Sequence, residues 1–312
     1  MQLDETISTN GMTGPVSISV CIPAWKDSAG PLLSGLAKQA GISSCEVIVY
    51  DDGSDDNTMT SSIISSLSNI QAPAKLITAT ENIGRARARN RLIAEAKADW
   101  LLLLDADMLP DSSLFLSKYR EAMESHVDPA LIAGGFSLDQ VTPTNAQRLH
   151  AAQSIRSECV SAEMRAKHPG LHVFSSNILV HRKVLDTVQF DEEYSGWGWE
   201  DIDWGLRIAR QFDVLHIDNT ATHLGLDDDA SLIKKYGTSA DNFARLARQH
   251  PQDVSKMKLY KMVKRLQKIP AQPIIKSISH SLAASNNRLL PIKLRLFSLK
   301  LFRAATYAEA LK

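Results

Sequence analysis

The chain has 312 residues with a formal net charge of zero, 44% hydrophobic and 22% charged, values of a globular protein able to bury a sizeable core rather than of a disordered or fibrous one. Its three cysteines, Cys21, Cys45 and Cys159, have no short spacing, which excludes a paired-cysteine zinc site or a disulfide framework and leads us to expect a reducing, cytoplasmic setting. The polar start of the chain, with Asp4 and Glu5, does not resemble a secretory leader, and no window reaches the roughly 18 apolar residues a membrane-spanning helix needs.

The chain alternates between two periodicities from the start. Val16, Ile18, Val20 and Ile22 alternate with small or polar residues and stop at Pro23, which predicts a first strand and, at its carboxyl end, the loop Pro23-Ala-Trp-Lys26. Helical spacing follows over 31–40, with Gly41 as its stop. A short apolar strand over 46–50 runs into Asp51-Asp-Gly-Ser-Asp-Asp-Asn-Thr58, which is dense in turn and cap formers, and a helix is expected over 59–67. A third strand covers 75–79. Glu81-Asn-Ile-Gly84 then opens a helix in which Arg85 and Arg89 share one face and Ala88, Leu92 and Ala96 supply a buried one.

Trp100-Leu-Leu-Leu-Leu-Asp-Ala-Asp-Met108 comes next, a run that reads as a strand buried on both faces with two carboxylates at its carboxyl end. In open α/β sheets ligands bind at that end. If extended chain continues through it, Asp105 and Asp107 point the same way. Two such oxygen donors suit Mg²⁺ or Mn²⁺ completed by phosphate oxygens, although they could also simply open a turn before Pro110. The strand–helix alternation over 16–107 predicts a mostly parallel sheet with helices on both faces. Beyond Pro110 we expect a strand over 131–136, a helix over 145–165 and a strand over 173–181.

A second acidic cluster, Gly196-Trp-Gly-Trp-Glu-Asp-Ile-Asp203, opens a helix near Glu200. Its carboxylates could merely favour the positive end of that helix. They could also do chemistry, since Trp197 and Trp199 offer flat apolar faces to a sugar ring beside a carboxylate able to accept a hydroxyl proton.

These stretches, in this order, resemble the inverting family-2 glycosyltransferases of the GT-A fold, and within them the branch related to β-1,4-galactosyltransferases and chondroitin polymerases. The likeness runs over 16–223 and rests on the Pro23 loop, Val49-Tyr-Asp-Asp-Gly-Ser54, Asn82-Ile-Gly with Ala88-Arg-Asn90, Asp105-Ala-Asp107 and Gly196-Trp-Gly-Trp-Glu-Asp201. It implies a Rossmann-like α/β domain and a nucleotide-sugar donor. Pro23 and Trp25 match the loop lining base and ribose, although the family often has Tyr-Asn where this chain has Trp25-Lys26. Asp52 matches the carboxylate that accepts the uracil N3 proton, which implies UDP. Arg89 matches an arginine on the donor side. Asp105 and Asp107 match the ligands of Mn²⁺ or Mg²⁺, and Asp201 matches the catalytic base, with Glu200 beside it for the acceptor and Trp197 and Trp199 as acceptor platforms. His223 matches a third metal ligand, with His216 nearby as a rival.

The charges are segregated. Residues 256–312 hold 13 Lys or Arg against one acid, Glu309, so this end carries +12 and the rest of the chain −12. Bases interleave with Leu259, Met262, Val263 and Leu266 over 256–268, and a second such run covers 289–302. Such helices could lie on an anionic membrane surface, pack on the acidic remainder of the chain, or make a homo-oligomer contact; nucleic acid is not expected, because aromatics are few. We therefore expect a flexible N-terminus (1–15), a GT-A domain (16–250, its nucleotide half 16–107 and acceptor half 108–250) and a basic helical extension (251–312). The expected activity is metal-dependent transfer from a UDP-sugar to a glycan or lipid-linked acceptor in surface polysaccharide synthesis. The alternatives are a nucleotidyltransferase on a related scaffold or a non-catalytic glycan-binding protein.

Overall fold

The computed structural model describes residues 4–285 and 290–312, which form two compact units. The first takes in Met1–Val141, Cys159–Glu192 and Trp204–Gly225; the second takes in Thr142–Glu158, Glu193–Asp203 and Leu226–Lys312.

The first unit is built on a sheet whose centre is parallel. Strands β1 (Glu5–Thr9), β2 (Ile18–Ala24), β3 (Cys45–Asp51), β4 (Ala74–Ala79) and β5 (Trp100–Leu104) are followed by β6 (Met108–Pro110), β7 (Ala130–Ala133), β8 (Phe136–Ser137), β9 (Asn177–His181), β10 (Asp213–His216) and β11 (Ala221–His223). Eight of them are ordered β1-β4-β3-β2-β5-β9-β7-β10, with β4, β3, β2 and β5 mutually parallel and β1 and β9 antiparallel to their neighbours. The central strands are apolar on both faces for a physical reason. Val47, Val49, Leu102 and Leu104 pack into one layer with Leu32, Leu33, Ile63 and Phe115, while Ile48, Tyr50, Leu101 and Leu103 pack into the other with Ala88, Leu92, Val184 and Trp204. Each such side chain removed from water contributes about 1.5–3 kcal/mol, so the register of β5 is strongly specified. The fold is α/β with a parallel sheet centre between two helical layers, as the alternation predicted.

Several boundaries differ from expectation. The N-terminal stretch expected to be flexible contains β1, which pairs antiparallel with β4, and Glu5 meets Arg91 at 2.9 Å. The expected 131–136 strand is interrupted at Gly134-Gly135 into β7 and β8, and the 173–181 strand begins only at Asn177. The single helix expected over 145–165 is broken into Arg148–Ser157, in the second unit, and Ala162–Ala166, in the first. The parting falls at Glu158 and Cys159, a boundary that helical periodicity alone does not mark.

The second unit is helical, and the basic C-terminal segment is its core rather than an appendage to a 16–250 domain. Helix Ile292–Ala310 buries Leu296, Leu299 and Phe302 against Leu149, Leu232, Ile233, Tyr236 and Ala283. Its Arg295 is buried and donates to Asp229 and to the Ala283 carbonyl, so the guanidinium charge at the helix interface meets a carboxylate. Helix Lys258–Leu266 turns Val263 and Leu266 inward and leaves Lys258, Lys261, Lys264 and Arg265 in solvent. Leu289, where the second basic run begins, lies outside the described residues. Among the described residues no helix is long and apolar enough to cross a membrane.

Candidate active site

The carboxyl ends of β2, β3 and β5 carry the first group of sequence-predicted residues. Pro23 is half-buried within β2, and Trp25, just past its end, is 54% exposed with the Lys26 ammonium 4.9 Å from its ring. The Lys26 amide donates to Ser54 Oγ at 2.7 Å and the Asp52 amide to the Ala24 carbonyl at 2.9 Å, which locks the two loops together. Gly53 has φ +68°, and a Cβ there would lie 2.4 Å from the Glu81 carbonyl carbon, so only glycine lets the Asp51–Ser54 loop approach that backbone so closely.

Asp52 is buried and its carboxylate is gripped by its own chain. Ile83 N donates to Oδ1 at 2.7 Å, while Gly84 N and Asn82 Nδ2 each donate to Oδ2 at 3.0 Å. Burial raises its carboxyl above the usual carboxylate range, and the Ile83 and Gly84 amides pull it back down. The Asn82-Ile-Gly motif and the Asp-Asp-Gly motif therefore form one assembly.

The acidic pair is not extended chain. β5 stops at Leu104, and Asp105, Ala106 and Asp107 form a turn closed by Met108 N donating to the Asp105 carbonyl at 3.1 Å. The strand alternation behind the expected parallel pointing therefore does not extend through the pair, and the two carboxylates take different hydrogen-bond partners. Asp105 accepts from Arg89 Nη2 at 2.6 Å and from Arg85 Nη2 at 3.2 Å. Arg89 is only 1% exposed, with Nη2 held on Asp105. Arg85, noted in the sequence only for sharing its helix face, is the second grip.

Asp107 instead meets His223, whose Nε2 is 3.1 Å from Oδ2. The contact follows from a three-stranded sheet, ordered β6-β11-β8, whose register sets His223 opposite Met108 and lets Leu224 N donate to the Asp107 carbonyl at 2.9 Å. Burial alone would raise the Asp107 carboxyl, but the hydrogen bond and charge of His223, with Arg85 nearby, hold it below its ordinary value. His216, the rival, lies between Arg165 Nη1 and the Pro169 carbonyl, and burial pushes it down to about 4, so it is a neutral structural residue. A carboxylate and an imidazole sharing a hydrogen bond are a donor set that suits Mn²⁺ better than Mg²⁺. Gly225 keeps the place beside them open, since a Cβ there would lie 2.0 Å from Asp107 Oδ2. Among the described residues no group of three or more His, Cys, Asp or Glu forms a ready-made cage, so the remaining ligands would come from phosphate or water. We expect Gly225→Ala to weaken Mn²⁺ binding by about tenfold, read as a smaller metal-induced rise in Tm, because the carboxylate must rotate away.

The second acidic cluster belongs to the second unit. Glu200, Asp201 and Asp203 occupy the first turn of helix Glu200–Ile208. Glu200 is buried and Asp201 half-buried; Asp203 is buried against His250 Nε2 at 2.7 Å. Trp197 is half-buried, with its ring centroid 5.5 Å from that of Tyr236. Trp199 is no sugar platform: it is 7% exposed, with Phe243 at 4.7 Å and the Arg303 guanidinium at 4.7 Å covering its ring. That correction could not be read locally, since Phe243 and Arg303 are distant in sequence.

The carboxylate turn and the cradled Asp52 thus lie at the carboxyl ends of parallel strands, the edge at which open α/β sheets bind their ligands. Residues 19–188, more than half of the chain, match the model of glycosyl transferase family 2, and the chain belongs to that family. It is 28% identical over 239 residues to the uncharacterized glycosyltransferase YfnE of Bacillus subtilis (strain 168), covering 61% of this chain and 59% of that protein. It is 29% identical over 193 residues to the hyaluronan synthase of Pasteurella multocida, covering 53% of this chain and 20% of the synthase. The chain thus spans less than two thirds of either relative. The mannosyltransferase PcManGT from Pyrobaculum calidifontis, solved in complex with GDP-Man and Mn²⁺, superposes on 95% of this chain and 88% of its own with a TM-score of 0.57; at 14% identity this shows a shared fold.

Proposed function

We propose that this chain is an inverting glycosyltransferase of the galactosyltransferase- and chondroitin-polymerase-like branch, moving a sugar from a UDP-sugar to a hydroxyl of a glycan or lipid-linked acceptor in surface polysaccharide synthesis. The observation that carries the reading is the Asp107–His223 pair held at 3.1 Å beside the arginine-clamped Asp105, in a chain of this family. Trp25 and the Asp52 loop would take the base and ribose. Asp107 and His223 would hold the divalent ion, whose charge offsets the negative charge that develops on the departing diphosphate. Asp105, neutralised by Arg85 and Arg89, would fix the turn that presents Asp107. Asp201 would accept the proton of the acceptor hydroxyl, Glu200 would orient that acceptor, and Trp197 would stack on it. Displacement without a covalent intermediate inverts the anomeric centre.

The test is nucleotide release from a panel of UDP-sugars and GDP-mannose with Mn²⁺, with and without EDTA. EDTA-sensitive UDP release from one sugar supports the reading. Pyrophosphate release when a nucleoside triphosphate and a sugar 1-phosphate are supplied instead would support the nucleotidyltransferase, and sugar binding without turnover in the presence of acceptors would support the non-catalytic alternative.

For its place of action we propose a cytoplasmic membrane surface rich in anionic lipid. Lys258, Lys261, Lys264, Arg265 and Lys268 are all exposed, and they are followed by Ile274 and Ile278, 61% and 56% exposed on one face of helix Gln272–Ala283. Co-sedimentation with phosphatidylglycerol vesicles is expected, lost with Lys261→Glu/Lys264→Glu/Arg265→Glu and at 0.5 M salt, where the Debye length falls to about 4 Å. Equal sedimentation with neutral vesicles would reject the electrostatic basis.

A further inference from the structure

The backbone just ahead of Glu200 and Asp201 is strained. Trp199 has φ +80°, a region that bulky side chains avoid unless their surroundings over-determine it. The surroundings here come from the C-terminal helices. Tyr307, on helix Ile292–Ala310, accepts a hydrogen bond at 3.0 Å from Trp199 Nε1, and its hydroxyl is also bonded to Ser239 Oγ. Arg303, one turn earlier, donates from Nε to the same hydroxyl at 3.1 Å and lays its guanidinium 4.7 Å from the Trp199 ring and 4.3 Å from that of Tyr236. Asn242 Nδ2 donates to the carbonyls of Ser195 and Gly198 at 2.9 and 3.0 Å, which pins the loop on its other side. Beyond the acidic pair, Asp203 is bonded to His250 at 2.7 Å.

Glu200 and Asp201 are thus bracketed by side-chain anchors, all of which descend from residues 239–307. We propose that Tyr307 and Arg303 are positioning residues that hold the Gly196-Trp-Gly-Trp loop in its strained form and so set the direction of the Asp201 carboxylate. This rests on the reading of Asp201 as the base. It also explains why the basic C-terminal segment is integral: the arginine that caps the tryptophan and the tyrosine that receives its N–H belong to the helix whose apolar face fills the unit's core. A stacked guanidinium serves better here than an ammonium, because it can cover the ring and donate to the hydroxyl at once.

The experiment is Tyr307→Phe, which keeps the ring and removes the hydroxyl, read by two independent measurements. Hydrogen exchange of segment 195–201 is expected to quicken by at least about tenfold while β2 and β3 peptides keep their protection, since the hydroxyl's bonds to Trp199, Ser239 and Arg303 are all lost. On the enzyme, kcat is expected to fall by about tenfold with the donor KM unchanged, and Trp199→Phe/Tyr307→Phe should lose less than the product of the two single losses because both remove the Trp199–Tyr307 bond. Unchanged exchange, or faster exchange with unchanged kcat, overturns the proposal. If Tyr307→Phe loosens the strands as well, Ser239→Ala, which keeps both rings, is read in the same way and decides. Faster loop exchange in a chain that transfers no sugar would overturn the glycosyltransferase reading while leaving the anchoring itself in place.

Discussion

Asp107→Ala should reduce metal-supported turnover by roughly a thousandfold, about 4 kcal/mol of transition-state stabilisation. The expectation follows from where the carboxylate sits. Asp107 is half of the donor pair with His223, and the turn that carries it is pinned by Met108 N on the Asp105 carbonyl and by Leu224 N on its own. Asp105 is the weaker replacement, because each of its oxygens already accepts from an arginine, Arg89 or Arg85. The binding arm of the test needs no acceptor. At Mn²⁺ one hundred times its Kd the wild type should gain about 2.7 kcal/mol of stability, and Asp107→Ala should gain almost none. Retained metal stabilisation in the variant would count against the Asp107–His223 site, and retained turnover would count against a metal-dependent reaction.

Asp201→Asn should lower kcat by roughly a thousandfold, within the range for a general base, while the donor KM changes by less than about twofold. Asparagine has the same shape and fills the same place in the first turn, so packing and loop geometry are preserved. What disappears is the capacity to take a proton. Metal-induced stabilisation should be unaffected, which separates this variant from Asp107→Ala in a single pair of assays. Activity within tenfold of wild type would remove Asp201 as the base and leave Glu200 as the next carboxylate to test by the same substitution.

The residues that could be assigned from sequence are those whose role is expressed within a few positions. Alternation along β2, the short apolar run of β3, the doubly apolar run of β5 and the turn formers after Tyr50 are local signals, because side-chain period and turn chemistry are local physics. They sufficed for an α/β sheet with its acidic residues at the strand ends, and the family match over 19–188 covers the stretch that carries most of them. The Asp105–Asp107 turn was the local exception, since leucine periodicity does not say at which residue a strand stops.

What only the tertiary structure decided depends on pairing between distant segments. His223 became the partner of Asp107 through the register of β11 on β6, and His216 was excluded through its burial beside Arg165. Trp199 looked like an exposed platform because its neighbours in sequence are glycines and acids; Phe243, Arg303 and Tyr307, which cover it, arrive from far along the chain. The basic C-terminal run carried both a charged stripe and an apolar one, and its sequence could not say what the apolar stripe would meet. Burial of Leu296, Leu299 and Phe302 against Leu149, Leu232 and Tyr236 answers that, because apolar burial is non-directional and its partners are chosen by the whole chain rather than by local pattern.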